Sequence, residues 1–144
     1  MTFREHVTKW MQGDPSATEF VVALHQVVEA WDDLIDKDQE VRPTTINGAF
    51  YAALVTIPRN RFYREHFTML SPIVEAAILD WYASNQFATE KKVELAWALA
   101  SCGLSATVMC ARIIGGIEWA TQVSVEFRKI TEPLSEFAAD FGAT

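Results

Sequence analysis

Apolar positions along this chain recur at intervals of three and four residues, and no stretch alternates apolar and polar residues as a strand would. Leu24, Val28, Trp31 and Ile35 repeat at heptad-like spacing, with Val27 and Leu34 widening the stripe. This predicts a long amphipathic helix, opened by a capping box of Ser16 and Glu19 and running to about Asp38. Before it, Thr2 with Glu5 fits another capping box, and Gly13 with Pro15 closes a short first helix. Arg42-Pro43-Thr44-Thr45 reads as a loop capping a helical segment over 46–57, and Pro58 starts or kinks a basic helical stretch over 59–67. Ser71 and Pro72 predict a helix start, with Ser at the N-cap and Pro at the first helical position, reaching about Ser84. Thr89 caps the next element, and residues 90–129 read as one long helix or as two broken near Gly115-Gly116. Thr131-Glu132-Pro133 starts a last short helix ending at Gly142. The expected fold is all-α: a single-domain bundle over 1–144 of about five to seven helices, with a long central helix rich in small residues.

Composition supports a packed chain. Half of the 144 residues are hydrophobic, with five Trp and nine Phe, which excludes a disordered polypeptide, and only six Gly and five Pro leave few turns. The net charge of −7 argues against nucleic-acid binding, which calls for a basic footprint. Cys102 and Cys110 stand eight positions apart in a helical stretch, ~12 Å along the axis at the helical rise, too far for a disulfide. They read as buried thiols of a reducing, cytoplasmic compartment. The start Met1-Thr2-Phe3-Arg4-Glu5-His6 lacks the basic-then-apolar order of a signal peptide. Residues 95–111 carry no charge, but Ser101, Gly103, Ser105 and Thr107 dilute them, so a buried central helix is expected rather than a membrane span. Ala98, Ser101, Ser105 and Gly116, with Glu94 and Arg112, fall near one line of that helix. Such a line lets a neighbouring helix approach closely, and a homodimer with a helical interface is expected, a purely internal contact explaining the pattern equally well.

Chemistry concentrates in one place. Asp32, Asp33, Asp36, Asp38 and Glu40 put five acids into nine positions, and residues 1–40 hold nine Asp and Glu against three Lys and Arg. At ~100° per residue, His25, Glu29, Asp32, Asp33, Asp36 and Glu40 share an arc of about 100°. Carboxylates at i, i+3 and i+4 suit a hard cation such as Mg²⁺, which takes one or two carboxylates plus waters and phosphate oxygens. The apolar stripe centres roughly opposite this arc, so an acid face turned to water is the competing reading.

Asp32-Asp33-Leu34-Ile35-Asp36 followed by Arg42-Pro43-Thr44 resembles the first aspartate-rich motif of the trans-isoprenyl diphosphate synthases. The resemblance implies Asp32, Asp33 and Asp36 as Mg²⁺ ligands and Arg42 as a diphosphate contact. It covers only these residues, and the second aspartate-rich motif of that family does not occur in the sequence. The pairs Glu29/Asp32 and Asp33/Asp36, each at i, i+3, also resemble one acidic helix motif of the all-α nucleotide pyrophosphohydrolases, again without its partner motif.

Elsewhere, Glu75 lies by angle among Val74, Ile78, Leu79 and Tyr82, which predicts a buried carboxylate paired with Arg112 or another arginine, or else a metal ligand or general base. Arg59, Arg61 and Arg64, with His66, form the one basic patch. It is expected to pair with surface acids, or to hold phosphate oxygens if the acidic helix binds metal. No Gly-rich phosphate loop, no Cys–His metal spacing and no di-iron motif occurs. Two functions therefore stand: a non-enzymatic, oligomeric interaction protein, or a Mg²⁺-dependent enzyme or binder of a small phosphorylated ligand. In the second, Glu29, Asp32, Asp33 and Asp36 hold metal, Arg42, Arg59 and Arg64 hold phosphate, and Glu75 is the base.

Overall fold

In the computed structural model the described residues are 1–36, 40–101, 103–131 and 133–142, the last three without their side chains. Asp38 of the acidic run, Cys102, and Glu132 of the expected last helix start lie outside them. The described chain is helical with no strand: α1 Phe3–Trp10, α2 Pro15–Asp36, α3 Pro43–Tyr51, α4 Ile57–Arg59, α5 Arg61–Glu65, α6 Phe67–Thr89, α7 Val93–Leu99, α8 Leu104–Ile130 and α9 Leu134–Gly142. The all-α bundle expected from the sequence is what the chain forms.

Local chemistry explains most boundaries. Thr2 caps α1, its hydroxyl accepting from the Glu5 amide at 3.1 Å. For α2 the cap is Asp14, whose carboxylate accepts from the Ala17 amide at 3.0 Å, and Pro15 takes the first helical position. The expected cap, Ser16, is engaged elsewhere. Its hydroxyl accepts from the Phe62 amide and its carbonyl from the Asn60 side chain, tying α2 to the start of α5.

Arg42 precedes Pro43 at the head of α3, so the helix begins at the segment expected to be its capping loop. Between α3 and α4 the chain takes one π-helical turn, Ala52–Thr56, in which the Ile57 amide reaches back to the Ala52 carbonyl. Pro58 explains it: the ring crowds the carbonyl four residues earlier, and the wider turn relieves the clash without ending the helix. In α6, Pro72 lies inside rather than at the start, because His66 and Phe67 begin the helix a turn sooner. Thr68, whose carbonyl loses its donor to Pro72, is exposed and open to water.

Of the two readings of 90–129, the break near Gly115-Gly116 is the one the structure supports, with a further division between α7 and α8 that was not expected. α7 ends at Leu99 and α8 begins at Leu104, and α8 pivots at Gly116, with φ +89° and ψ −177°. Ala98, Ser101, Ser105 and Gly116 therefore share no helix line, and they do not make the continuous close-packing face expected of them. By length and composition Val93–Ala139 contains a window apolar enough to cross a membrane, with mean hydropathy 1.5 and 29% of it buried. Length and composition alone are weak evidence, and that stretch is divided among α7, α8 and α9.

Two apolar clusters hold the bundle. The larger joins α1, α2, α5, α6 and α8 through Val7, Trp10, Phe20, Phe62, Leu70 and Val123. Each such side chain contributes ~1.5–3 kcal/mol of transfer free energy. Trp10 is its hub: wholly buried, it stacks on Phe127 at 5.4 Å, donates its indole N–H to Glu126 at 2.7 Å, and lends its carbonyl to the indole of Trp119 at 2.8 Å. The smaller cluster packs Ala77 and Trp81 of α6 against Val28 and Trp31 of α2, with the two indoles 4.2 Å apart.

Candidate functional site

The acidic arc of α2 does not simply face open water. Between the two clusters lies a cavity of about 730 Å³, and His25, Glu29, Asp32 and Asp36 line one side of it. These positions step along one stripe of α2 because i, i+4, i+7 and i+11 return to nearly the same angle. The facing walls come from α1, α6, α7, the end of α8 and α9: Phe3, Trp81, Trp97, Phe127 and Phe137 supply aromatic surface. The groove over the acidic face is thus built by segments as distant in sequence as His25 and Phe137.

The polar groups are held in place. His25 is an i, i+4 partner of Glu29, with Nε2 and Oε1 3.1 Å apart, and its ring stacks on Phe3 at a centroid distance of 3.9 Å. Asp32 is half-buried, whereas Glu29 and Asp36 are more open. Asp32, Asp36, Trp97 and Phe137 each also interact with other groups of the protein. Asp33 is half-buried but is not among the lining residues.

The sequence-predicted site is only partly assembled. Glu29, Asp32 and Asp36 share a cavity, yet among the described residues no three His, Cys, Asp or Glu side chains gather closely enough to hold a metal ion. The reason is their spacing: Glu29 and Asp36 lie seven residues apart, ~10 Å along the axis, so the carboxylates are strung out rather than convergent. Arg42, Arg59 and Arg64 are exposed, and none of them lines the cavity. Arg61, beside them in sequence, lies 3.7 Å from Glu65 on its own helix. Glu75 is exposed, as are Leu79 and Tyr82, while Val74 and Ile78 of the same arc pack against the two clusters, so Glu75 lies on the outer edge of an arc expected to be buried. Arg112, the partner expected for it, is exposed as well.

Sequence reasoning missed the aromatic half of the cavity, since Trp81, Trp97, Phe127 and Phe137 come from four different helices. It also missed a second feature, on the other side of α2. There Val27, Ala30, Trp31 and Leu34 of α2 face Ile46, Ala49 and Phe50 of α3 and Ala53 of the π turn across an apolar groove of about 180 Å³. Beside the groove Phe50, Tyr51 and Leu54 stand 61%, 62% and 71% exposed. A sequence signal existed: residues 43–57 carry no charge, and 47, 50, 51, 54 and 58 fall on one helical ridge.

Elsewhere, Glu126 is held below the usual carboxylate range, first by the Trp10 indole N–H and then by the Lys9 ammonium at 3.2 Å. Burial pushes the Cys110 thiol up to about 12, so it is not a nucleophile in the folded chain. No protein-family model, no curated protein and no solved structure matches this chain.

Proposed function

We propose that this chain is an oligomeric interaction protein that pairs with a second copy of itself through the α2–α3 face. The observation that carries this reading is the outward ridge of Phe50, Tyr51 and Leu54 on an uncharged segment. At about 200 Å² for an aromatic side chain, Phe50 and Tyr51 alone leave about 250 Å² of mostly apolar surface in water. Leu34, Ile35 and Leu54, at 40%, 51% and 71% exposure, extend the apolar surface of this side. That is the scale at which an exposed patch marks an interaction site rather than scatter, and it suits the centre of an interface of ~800 Å² per partner.

A second copy fits this surface for two further reasons. Groove and ridge lie side by side on α2, α3 and the π turn, so a two-fold axis can set the ridge of each protomer against the groove of the other, the self-complementary arrangement of an isologous dimer. Two chains of charge −7 also repel, and residues 43–57 are a face on which they can meet without opposing charges. Sedimentation equilibrium at roughly 100 μM, well above a micromolar Kd, should give twice the 16.2 kDa chain mass. Leu54→Lys should return it to the chain mass with an unchanged helical spectrum. A wild-type chain that stays monomeric at that concentration refutes the proposal.

A further inference from the structure

Charge is segregated to opposite ends of the α2–α3 hairpin. Its helices run antiparallel: the Ser16 hydroxyl and carbonyl accept from the Phe62 amide and the Asn60 side chain, so the start of α2 lies beside the start of α5. At the other end Leu34 shares a groove with Ile46 and Phe50, so the end of α2 lies beside the start of α3. The first end is basic. Over 59–66, Arg59, Arg61 and Arg64 are all exposed and stand against one acid, Glu65. Arg61 lies 3.7 Å from Glu65, and among the described residues no ion pair engages Arg59 or Arg64. The second end is acidic. Over 32–42, five Asp and Glu outnumber Lys37 and Arg42, and of these Asp33, half-buried, and Glu40, exposed, lie off the wall of the large cavity. Between the ends, Tyr51 stands eight residues from Pro43 and eight from Arg59, ~12 Å each way.

A two-fold axis lying in the plane of contact has two choices here. Running along α3, it makes the paired helices parallel and sets the arginines of both copies together and the acids of both copies together. Running across α3 near Tyr51, it makes them antiparallel and brings position 59 of each copy level with position 43 of the other. Complementary charge fixes register, and like charges brought together reject it. Resting on the dimer reading above, we infer that the two copies pair antiparallel, with Arg59, Arg61 and Arg64 of each facing Asp33 and Glu40 of the other. Charge contacts at both ends then rim an apolar centre of Phe50, Tyr51 and Leu54, the usual arrangement of an interface. Local attraction of this kind offsets the general repulsion of two chains of charge −7.

Asp33→Lys with Glu40→Lys separates the two choices. Each change adds two charges, so the net charge of −7 becomes −3 and general repulsion falls. Antiparallel pairing nevertheless predicts a dimer about tenfold or more weaker by sedimentation, because lysines then meet arginines. Parallel pairing predicts no loss. Arg59→Glu, Arg61→Glu and Arg64→Glu together should weaken the dimer as well, and both sets combined in one chain should restore it; circular dichroism checks that each variant folds. In a Cys102→Ser background, with Cys110 buried, Thr44→Cys and Arg59→Cys chains should cross-link when mixed, whereas Thr44→Cys chains alone should not. A dimer undiminished by Asp33→Lys and Glu40→Lys, a combined chain that stays weakened, or cross-linking of Thr44→Cys alone overturns the antiparallel arrangement and leaves the dimer standing. A monomeric wild-type chain overturns the pairing itself, and this arrangement with it.

Discussion

Replacing Gly115 with alanine places a Cβ atom 2.5 Å from Cδ1 and 2.7 Å from Cγ of Trp119, and 2.7 Å from the Gln12 amide nitrogen. The end of Gln12 can swing away. The indole of Trp119 cannot, because its N–H is bonded to the Trp10 carbonyl and its ring packs against the larger core cluster. Overpacking of this kind costs about 1–3 kcal/mol. Next to it, Gly116→Ala meets nothing within 4 Å, yet it must hold φ +89° and ψ −177°, a region open essentially to glycine alone. That backbone strain also costs about 1–3 kcal/mol. The two variants should look alike in wild type and separate in a Trp119→Ala background, which removes both the Cγ and the Cδ1 that the new Cβ meets. There the clash is gone, and Gly115→Ala should cost less than about 0.5 kcal/mol or even stabilise, alanine being the better helix former by about 1 kcal/mol. Gly116→Ala should keep its full cost in both backgrounds, since that cost is backbone strain and its new Cβ meets no atom of Trp119 within 4 Å. Urea unfolding followed by far-ultraviolet circular dichroism avoids the change in tryptophan emission, and each kcal/mol corresponds to about 2–4 °C in Tm for a chain of this size. Equal costs of Gly115→Ala with and without Trp119 would refute the steric argument. A Gly116→Ala variant as stable as wild type would refute the strain argument.

Two further outcomes follow from titratable groups. In a Cys102→Ser variant, Cys110 should resist alkylation at about pH 8 in the folded chain and react at the ordinary rate in urea, because burial both shields the thiol and holds it protonated; fast labelling without denaturant would contradict this. Glu126, whose folded-state pKa is lowered, stabilises the fold above the usual carboxylate pKa and loses that contribution as the pH falls through its folded value. Glu126→Gln keeps an acceptor for the Trp10 indole but not the charge facing Lys9. With both side chains substantially exposed, it should cost less than about 1 kcal/mol at neutral pH and converge with wild type in acid. Urea midpoints across the pH range would expose a deficit that persists or grows in acid.

What the sequence determined by itself was local. The Thr2 cap, the helical period of α2, the sharing of one arc by Glu29, Asp32 and Asp36, and the uncharged run over 43–57 all depend on neighbours within a turn or two. Helix geometry carries those relations into the fold unchanged. Tertiary structure decided what each face meets. Ser16 lost the cap of α2 because Phe62 and Asn60 claim its hydroxyl and carbonyl across the bundle. Glu75 lies outside because it sits with Leu79 and Tyr82 on the outer edge of an arc whose Val74 and Ile78 pack inward, although the residue types there suggested a core. The acidic stripe, which periodicity turned away from the apolar side of its own helix, became one wall of a cavity because α7 to α9 fold back over it. The physical reason is the same in each case: side-chain spacing along a helix is fixed by bonds within that helix, whereas burial is fixed by packing between segments far apart in the chain.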